Sequence, residues 1–223
     1  MEARSSGMET IEVYDRIAEE FGKVRRKPWP SIRELRGRKG LALDLGCGSG
    51  RNAAALSAFG YSHVVAADLS IGMLKSLRRR GLKEVSLVRC DLLRLPLVDC
   101  SFDAVAFVAV IHHISGKVNR FRAMAEVFRV TKPGGRMLVT AWSLLQTRFL
   151  KKGGSIISRL IRGGELGDLV VPWGSKGGRF YHLFTKRALE EVVRRAGFRI
   201  IKSYGERIRS RLPENWVVVA EKA

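Results

Sequence analysis

The sequence predicts an α/β protein organised around a doubly wound, mostly parallel sheet. Two observations lead to this fold class. Apolar segments of strand length alternate with segments of helical periodicity through most of the 223 residues. The first apolar segment, Leu41–Leu45, runs into three alternating glycines, Gly46, Gly48 and Gly50. Glycines in such a turn let the backbone approach a ligand closely, so this loop is predicted to bind a nucleotide-type cofactor.

The N-terminal part of the chain is expected to contain a disordered leader, residues 1–9, followed by an amphipathic helix over residues 10–22. Apolar side chains recur there at helical spacing, at Ile11, Tyr14, Ile17, Ala18 and Phe21. The segment from Lys23 to Lys39 has eight basic residues and one acid, and two prolines around Trp29 make it extended and stiff. Residues 10–223 are expected to form a single domain, because this length suffices for a full α/β core.

Strands and helices are predicted to alternate from residue 41 onward. In chain order they are strand Leu41–Leu45, helix Asn52–Phe59, strand His63–Asp68, helix Ile71–Arg80, strand Val85–Cys90, strand Phe102–Val110, helix Lys117–Val130, strand Gly135–Trp142 and helix Thr185–Ala196. Two closing strands, Phe198–Tyr204 and Asn215–Glu221, follow without a helix between them. They predict an antiparallel hairpin at one edge of the sheet.

The charge balance indicates a polyanionic partner. Forty-one Lys and Arg residues against 21 Asp and Glu give a net charge of +20. An excess of one sign this large is typical of proteins that bind nucleic acid, although a solvated basic surface is the alternative. A single Gln and three Asn suggest a heat-adapted source, since these amides are thermolabile.

The three cysteines, Cys47, Cys90 and Cys100, have neither a disulfide nor a zinc-site spacing, so no metal is expected. They suit a reducing compartment, and a cytoplasmic location is expected. The longest unbroken apolar run, Ala104–Ile111, is too short to span a bilayer, so no membrane association is expected.

Three acids follow the first three predicted strands. Asp44 closes the first strand, Asp68 closes the second and Asp91 follows the third, so all three converge on one edge of the sheet. Asp44 favours S-adenosylmethionine (SAM), whose ammonium and sulfonium accept a nearby carboxylate, over a dinucleotide pyrophosphate. Asp68 is placed to accept hydrogen bonds from the ribose hydroxyls, and Asp91 is placed to accept one from the adenine amino group. The predicted cofactor pocket is completed by the three glycines and by Leu69, Leu92 and Val108.

An ordered set of motifs resembles the class I SAM-dependent methyltransferases. The set consists of Asp44-Leu-Gly-Cys-Gly-Ser-Gly50, Asp68, Asp91, Phe102-Asp-Ala-Val105 and Lys132-Pro-Gly-Gly135. An NAD enzyme would share the acid after the second strand but fits the other motifs poorly. The resemblance implies a Rossmann-like fold with a seven-stranded sheet of order 3-2-1-4-5-7-6, its seventh strand antiparallel and helices on both faces.

Segments outside this core resemble a narrower family, the tRNA methyltransferases that esterify 5-carboxymethyluridine at the wobble position. They are Val13-Tyr-Asp-Arg-Ile-Ala18, Arg25-Arg-Lys-Pro-Trp-Pro30, Ala109-Val-Ile-His-His113, Val170-Val-Pro-Trp173, Arg179-Phe-Tyr-His-Leu-Phe184 and Glu214-Asn-Trp216. Residues 143–169 do not match the family. The resemblance implies that the tRNA anticodon loop is the substrate and that a small zinc-binding activator subunit is the partner.

A carboxylate acceptor is ionised at neutral pH and needs no general base. Catalysis would then depend on alignment and on removal of water. The resemblance implies that Arg25 is the catalytic residue that holds this carboxylate, with Arg26 as the alternative. Either His112 or His113, after the fourth strand, could hydrogen-bond the acceptor, and His113 is the one assigned to catalysis.

The remaining candidate substrate-binding residues are aromatic or basic. Trp29, Trp142, Trp173 and Tyr181 could stack on an unpaired base, and Lys27, Arg179 and His182 are assigned to the RNA. Residues 143–184 are predicted as a basic substrate-binding insertion, either a mobile flap that orders on RNA or a solvated insertion.

Two other functions stay open at this point. A methyltransferase for a small acceptor would work independently of salt, whereas an RNA-binding module without catalysis would bind SAM and transfer nothing.

Overall fold

The computed structural model describes residues 2–150, 164–208 and 210–223. Its strands are β1 (Leu41–Leu45), β2 (His63–Asp68), β3 (Val85–Arg89), β4 (Phe102–Val108), β5 (Thr131–Trp142), β6 (Asp168–Pro172), β7 (Gly178–His182), β8 (Arg199–Glu206) and β9 (Asn215–Glu221). Its α-helices are α1 (Glu2–Val24), α2 (Arg51–Ala58), α3 (Ile71–Arg78), α4 (Lys117–Val130), α5 (Thr147–Leu150) and α6 (Lys186–Arg195). Short 3-10 helices cover Pro30–Leu35 and Ile111–His113.

Seven strands form one sheet in the order β3-β2-β1-β4-β5-β9-β8. Strands β1 to β5 run parallel, whereas β9 runs antiparallel to both β5 and β8. When only the strands of this sheet are numbered, the order is 3-2-1-4-5-7-6, which confirms the predicted topology and the closing hairpin. The carboxyl ends of β1, β2 and β4 therefore lie side by side, and the loops that follow them face the same space.

Apolar side chains cover both faces of the sheet. Leu43 and Leu45 belong to the core under α4 and α6, whereas Ala42 belongs to the core under α2 and α3. Because side chains alternate along a strand, Asp44 lies on the same face as Ala42, beneath α2. This places an acid in a hydrophobic layer next to the glycine loop.

The predicted disordered leader is wrong in the structure, because α1 begins at Glu2. Residues 2–9 contain no proline, so nothing in the chain stops the predicted helix from extending toward the N-terminus. The helix packs against α3 and β7, with Val13, Ile17 and Ala18 buried against Met73. Its inner face therefore forms a wall beside the glycine loop.

The predicted insertion is structured where the structure describes it. Residues 164–184 contain β6 and β7, which pair as an antiparallel hairpin, and Leu169, Tyr181 and Leu183 are buried. The Phe180 N–H donates to Thr10 Oγ1 at 3.0 Å, which ties the hairpin to α1. This part is therefore a packed layer, contrary to the expected mobile flap or floppy insertion. Residues 151–163 of the predicted insertion lie outside the described residues.

None of the helices in the described ranges combines the length and the apolar character that a bilayer crossing requires.

Candidate active site

A cavity of about 460 Å³ lies at the carboxyl ends of β1, β2 and β4 and is covered by α1. Most of the predicted cofactor residues line it, namely Gly46, Gly48, Asp68, Leu69, Asp91, Leu92 and Val108. Tyr14 and Phe21 of α1 and His113 after β4 complete the opposite wall. Seven of the predicted cofactor residues thus surround one space, with a second group of side chains facing them, whereas Asp44 and Gly50 are not part of its lining.

The three glycines of the loop serve different purposes. All three have positive φ angles, of 69°, 53° and 79° for Gly46, Gly48 and Gly50. A Cβ on Gly46 would lie 2.4 Å from Val110, and one on Gly50 would lie 2.1 Å from Leu77. A Cβ on Gly48 would meet nothing closer than 4.0 Å, and Gly48 lines the cavity. Gly46 and Gly50 are therefore required by packing, whereas Gly48 leaves its backbone open to a ligand.

Asp68 holds the glycine loop in place. Its Oδ2 accepts from the Gly48 N–H at 2.8 Å and its Oδ1 accepts from the Ser70 N–H at 2.9 Å. Burial raises the pKa of this carboxyl, and the backbone N–H groups oppose the rise. Each carboxylate oxygen retains a second lone pair, so Asp68 can also accept from the ribose hydroxyls of SAM.

Asp44 is buried behind the loop, and one of its oxygens has no partner. The side chain is 1% exposed, and its Oδ2 lacks a hydrogen bond among the described residues. The carboxylate accepts from the Ala53 N–H at the start of α2, but burial raises its pKa to about 7. Asp44 does not line the cavity itself, but it lies immediately before the glycine loop that does. An orphaned carboxylate oxygen at this place fits a cationic ligand, and SAM carries two cationic groups.

The raised pKa of Asp44 predicts that SAM binding depends on pH. In the free protein the folded state holds this proton more tightly than the unfolded chain, so Asp44 makes unfolding easier as pH rises from 4 to 7. Bound SAM favours the ionised form, so its affinity should be about tenfold lower at pH 6 than at pH 8. Isothermal titration calorimetry across this range tests the effect, and Asp44→Asn should bind weakly with no such pH dependence. A wild-type affinity that is flat between pH 6 and 8 would contradict this role.

Tyr14, His113 and Arg179 form a chain of hydrogen bonds in the opposite wall. His113 Nδ1 lies 2.8 Å from the Phe180 carbonyl, so it must carry the proton and donate. His113 Nε2 is then an acceptor, and the Tyr14 hydroxyl donates a hydrogen bond to it at 2.8 Å. Arg179 in turn hydrogen-bonds Tyr14. Burial lowers the pKa of His113 to about 3, so the ring is neutral and both of its nitrogens are engaged.

The catalytic role predicted for His113 needs correction. Both ring nitrogens are already used in the wall, so His113 cannot hydrogen-bond an acceptor without releasing Tyr14 or Phe180. It holds the hydroxyl of Tyr14 instead, a residue that lines the cavity and whose pKa is raised by burial. Sequence reasoning missed Tyr14 as a site residue, because its helical spacing is the same as that of a core tyrosine.

Arg179 is a buried cation without a carboxylate. It is 5% exposed, its Nε has no hydrogen-bond partner, and no acid forms an ion pair with it among the described residues. Its guanidinium lies over the Trp173 ring at 4.7 Å and close to the Tyr181 ring at 5.4 Å. Aromatic faces stabilise a cation only partly, so this charge favours an anionic ligand nearby.

Arg51, which sequence reasoning missed, lies in the cavity wall where Arg25 was expected. Arg51 lines the cavity and lies over the Trp29 ring at 4.8 Å. Burial lowers the pKa of Arg51 to about 10, and the charge of Arg25 lowers it further, so the two guanidiniums are close together. Arg25 itself is half-buried and is not part of the cavity lining. The position of Arg51 immediately after Gly50, at the start of α2, is the signal that could have identified it.

Several predicted substrate contacts are not free to stack on a base. Tyr181 and His112 are each 1% exposed and stack on one another at 5.1 Å, and Trp142 covers Tyr181 at 4.1 Å. These rings form a buried layer under the β6–β7 hairpin. Trp29 is half-buried with Arg51 over its ring, whereas Trp173 is half-buried beside Arg179.

His182 also has a structural place. Its Nδ1 lies 2.7 Å from Asp168 Oδ1, across the β6–β7 pair, and the residue is 8% exposed. It fastens the base of the hairpin, contrary to its predicted contact with RNA. Arg26 and Lys27 are exposed, outside the cavity lining. No cluster of three or more potential metal ligands occurs in the described part of the chain.

Comparison with known proteins agrees with this geometry. Residues 43–139 match a methyltransferase domain family. A relative from Encephalitozoon cuniculi, described as a methyltransferase, is 37% identical over 194 residues, which cover 84% of this chain and 86% of the relative. The tRNA (carboxymethyluridine(34)-5-O)-methyltransferase of Schizosaccharomyces pombe is 30% identical over 241 residues, which cover 95% of each protein.

Solved structures share the fold. A SAM-dependent methyltransferase from Methanosarcina mazei superimposes with a TM-score of 0.75 at 22% identity, over 88% of this chain and 98% of the other. A Haloferax volcanii methyltransferase was solved in complex with the Trm112 methyltransferase activator. It superimposes with a TM-score of 0.70 at 15% identity, over 95% of this chain and 96% of the other. The chain is thus a SAM-dependent methyltransferase of the family that includes the tRNA (carboxymethyluridine(34)-5-O)-methyltransferases.

Proposed function

We propose that this enzyme transfers the methyl group of SAM to the carboxylate of 5-carboxymethyluridine at the wobble position of tRNA. The observation that carries the proposal is the lack of a usable general base beside an unpaired, buried cation. The titratable side chains that line the cavity in the described structure are Tyr14, Cys47, Arg51, Asp68, Asp91 and His113. An acceptor hydroxyl or amine would need one of them to take its proton.

These groups are unsuited to that task. His113 is neutral with both nitrogens engaged, and burial raises the pKa of both Tyr14 and the Cys47 thiol. Asp68 and Asp91 each retain free lone pairs, but they lie among the predicted cofactor residues of the cavity lining, where the ribose hydroxyls and the adenine amino group of bound SAM would engage them. A carboxylate acceptor removes the difficulty, because it is a nucleophile at neutral pH without losing a proton.

The charges around the cavity favour an anionic acceptor. Arg179 stands behind Tyr14 without an acid, and Arg51 and Arg25 lie together near the glycine loop. A carboxylate that enters between these walls would compensate part of this positive charge. Attack on the methyl group disperses charge in the transition state, so a tight grip on the carboxylate would stabilise the ground state more. These cations therefore orient the acceptor and exclude water.

The RNA part of the proposal is supported by the net charge of +20 and by the Schizosaccharomyces pombe relative, whose name specifies carboxymethyluridine. Binding of a small-molecule acceptor would not require a net charge this large.

A small zinc-binding activator subunit is the proposed partner. The Haloferax volcanii neighbour is a methyltransferase solved in complex with a methyltransferase activator, Trm112. The edge strand β3 pairs only with β2 in the described structure, and Val85, Leu87 and Val88 on it are half-buried. An extended segment of the activator can add to this edge and cover its apolar side chains.

Nucleoside mass spectrometry tests the function. tRNA that carries 5-carboxymethyluridine is incubated with methyl-labelled SAM and the enzyme, with and without a candidate activator, and is then digested to nucleosides. Label in the methyl ester of 5-carboxymethyluridine is expected, and the activator should increase it. Label in a different nucleoside, or transfer to small carboxylic acids but not to tRNA, would overturn the proposal.

A further inference from the structure

A second recess lies outside the cavity, between α1 and α3. We call it the α1–α3 groove. It has a volume of about 460 Å³ and its walls carry the basic side chains of Lys23, Arg26, Arg79 and Arg80. Ser49 of the glycine loop forms part of its floor and also lines the cavity, so the two spaces adjoin. Gly22 allows α1 to approach this floor, because a Cβ there would lie 2.9 Å from Ser76 Oγ.

The positive charge of this groove is largely uncompensated. Its single acid, Glu19, pairs with Arg79 at 3.1 Å. Arg80 Nη1 donates to the Ser49 carbonyl at 3.0 Å, which fixes the guanidinium without neutralising it. Lys23 and Arg26 form no ion pair with any described residue, and both are exposed. The groove therefore presents cations from two separate elements to one concave space.

Charge is more nearly balanced in the neighbouring recess. It lies toward the N-terminus of α1 and shares Glu19, Lys23 and Arg79 with the groove, and its other charged residues are Asp15, Arg16, Glu20, Lys75 and Lys176. Glu20 pairs with Lys176 at 2.7 Å, and Asp15 Oδ1 accepts from the Gly72 N–H at 2.8 Å. Helix dipoles favour cations at the end of α1 or of α3 taken separately. They do not explain why the cations at the end of α1 and those at the end of α3 line the same groove.

We propose that the α1–α3 groove binds a phosphodiester of the RNA backbone beside the nucleotide whose base enters the cavity. The proposal rests on the proposed function for the identity of the substrate as RNA. Arginine can hold phosphate oxygens through two parallel N–H bonds, and lysine adds a mobile point charge. Contacts of this kind fix the register of a nucleic acid without reading its sequence. Since Ser49 separates the groove from the cavity, a phosphate held there sets how deep the target base can enter.

The test compares two charge-matched double variants. Lys23→Gln with Arg26→Gln removes two unpaired cations from the groove. Arg194→Gln with Arg195→Gln removes two exposed cations from α6, which packs on the other face of the sheet beside α4. Filter binding of unmodified tRNA transcript at a series of KCl concentrations gives the affinity and its salt dependence, and calorimetry gives the SAM affinity.

The groove variant should bind tRNA about tenfold more weakly at 0.15 M salt, with the slope of log K against log salt reduced by about 1. Its SAM affinity should equal that of wild type, and the α6 variant should bind tRNA within about twofold of wild type. Equal tRNA affinity and equal slope in both double variants would overturn the groove, as would wild-type protein that does not bind tRNA.

This binding test is separable from the proposed function, because it needs no methyl transfer. If nucleoside analysis finds no methyl ester but the groove variant still loses tRNA affinity and salt slope, the proposed function fails and the groove stands. If the ester forms and the groove variant has the same tRNA affinity and salt slope as the α6 variant, the proposed function is supported and the proposed phosphate site is wrong.

Discussion

Arg179→Met is expected to slow methyl transfer by about a thousandfold and to leave the protein as stable as wild type or more stable. Arg179 is a 5% exposed cation with no acid beside it among the described residues, and three aromatic rings surround it. Methionine has a similar length and packs well against aromatic rings. Replacing a buried charge by an apolar side chain of similar volume is often neutral or stabilising.

With the proposed carboxylate acceptor, the loss of activity should be large, because the substitution removes a positive charge that would orient this acceptor from behind Tyr14. We expect kcat/KM for methyl transfer to tRNA to fall by about a thousandfold, corresponding to roughly 4 kcal/mol. Transfer of labelled methyl groups measures the rate, and differential scanning fluorimetry measures Tm. Arg179→Lys keeps the charge but loses the planar donors, so its activity should lie between that of wild type and Arg179→Met.

Arg120→Met is the matched control for this prediction. Arg120 is also buried, at 2% exposure, but it forms an ion pair with Glu165 and donates to the Ile114 carbonyl. Removal of a paired arginine leaves its acid without a partner, so Tm should fall. If Arg179→Met lowered Tm as Arg120→Met does, with activity reduced only in proportion to folded protein, Arg179 would be a structural residue of the hairpin.

The fold and the cofactor half of the site could be predicted because they depend on local sequence rules. These rules are the alternation of side chains along a strand, the positions of strand ends and the spacing of glycines. They place Asp44, Asp68 and Gly48 at one edge of the sheet without information from distant parts of the chain. The antiparallel hairpin followed from two strands without an intervening helix. Each of these inferences uses residues that are neighbours in the sequence or on adjacent strands.

The acceptor half could not be predicted because it is made by long-range contacts. Tyr14 and His113 are 99 residues apart, and His113 and Phe180 are 67 residues apart. Neither the helical position of Tyr14 nor the motif around Arg179 reveals that α1 and β7 pack together. The same packing buries Tyr181, which an exposed hairpin would have left open to a base. Aromatic residues near glycines and charges are therefore poor predictors of a stacking surface.

Asp68→Asn should weaken SAM binding by at least about a hundredfold, corresponding to roughly 2.7 kcal/mol. The Asp68 carboxylate accepts two backbone N–H groups at once, one from Gly48 and one from Ser70. An amide has only one acceptor oxygen, so one of these N–H groups would face the new NH₂ group. The Gly48 backbone would then be displaced, and the ribose hydroxyls would lose an acceptor in the same change. Calorimetric titration with SAM measures the loss.

Asp91→Asn is the control that separates loss of charge from loss of the second acceptor. Asp91 is exposed, and within the described part of the chain its Oδ1 accepts from the Leu93 N–H while its Oδ2 has no hydrogen bond. An asparagine can keep that bond or accept from the adenine amino group through its single oxygen, so SAM affinity should fall only a few-fold. If both variants lost affinity equally, the negative charge at this sheet edge would matter more than the hold on Gly48. A near-normal affinity in Asp68→Asn would show that neither the ribose contact nor the loop depends on this carboxylate.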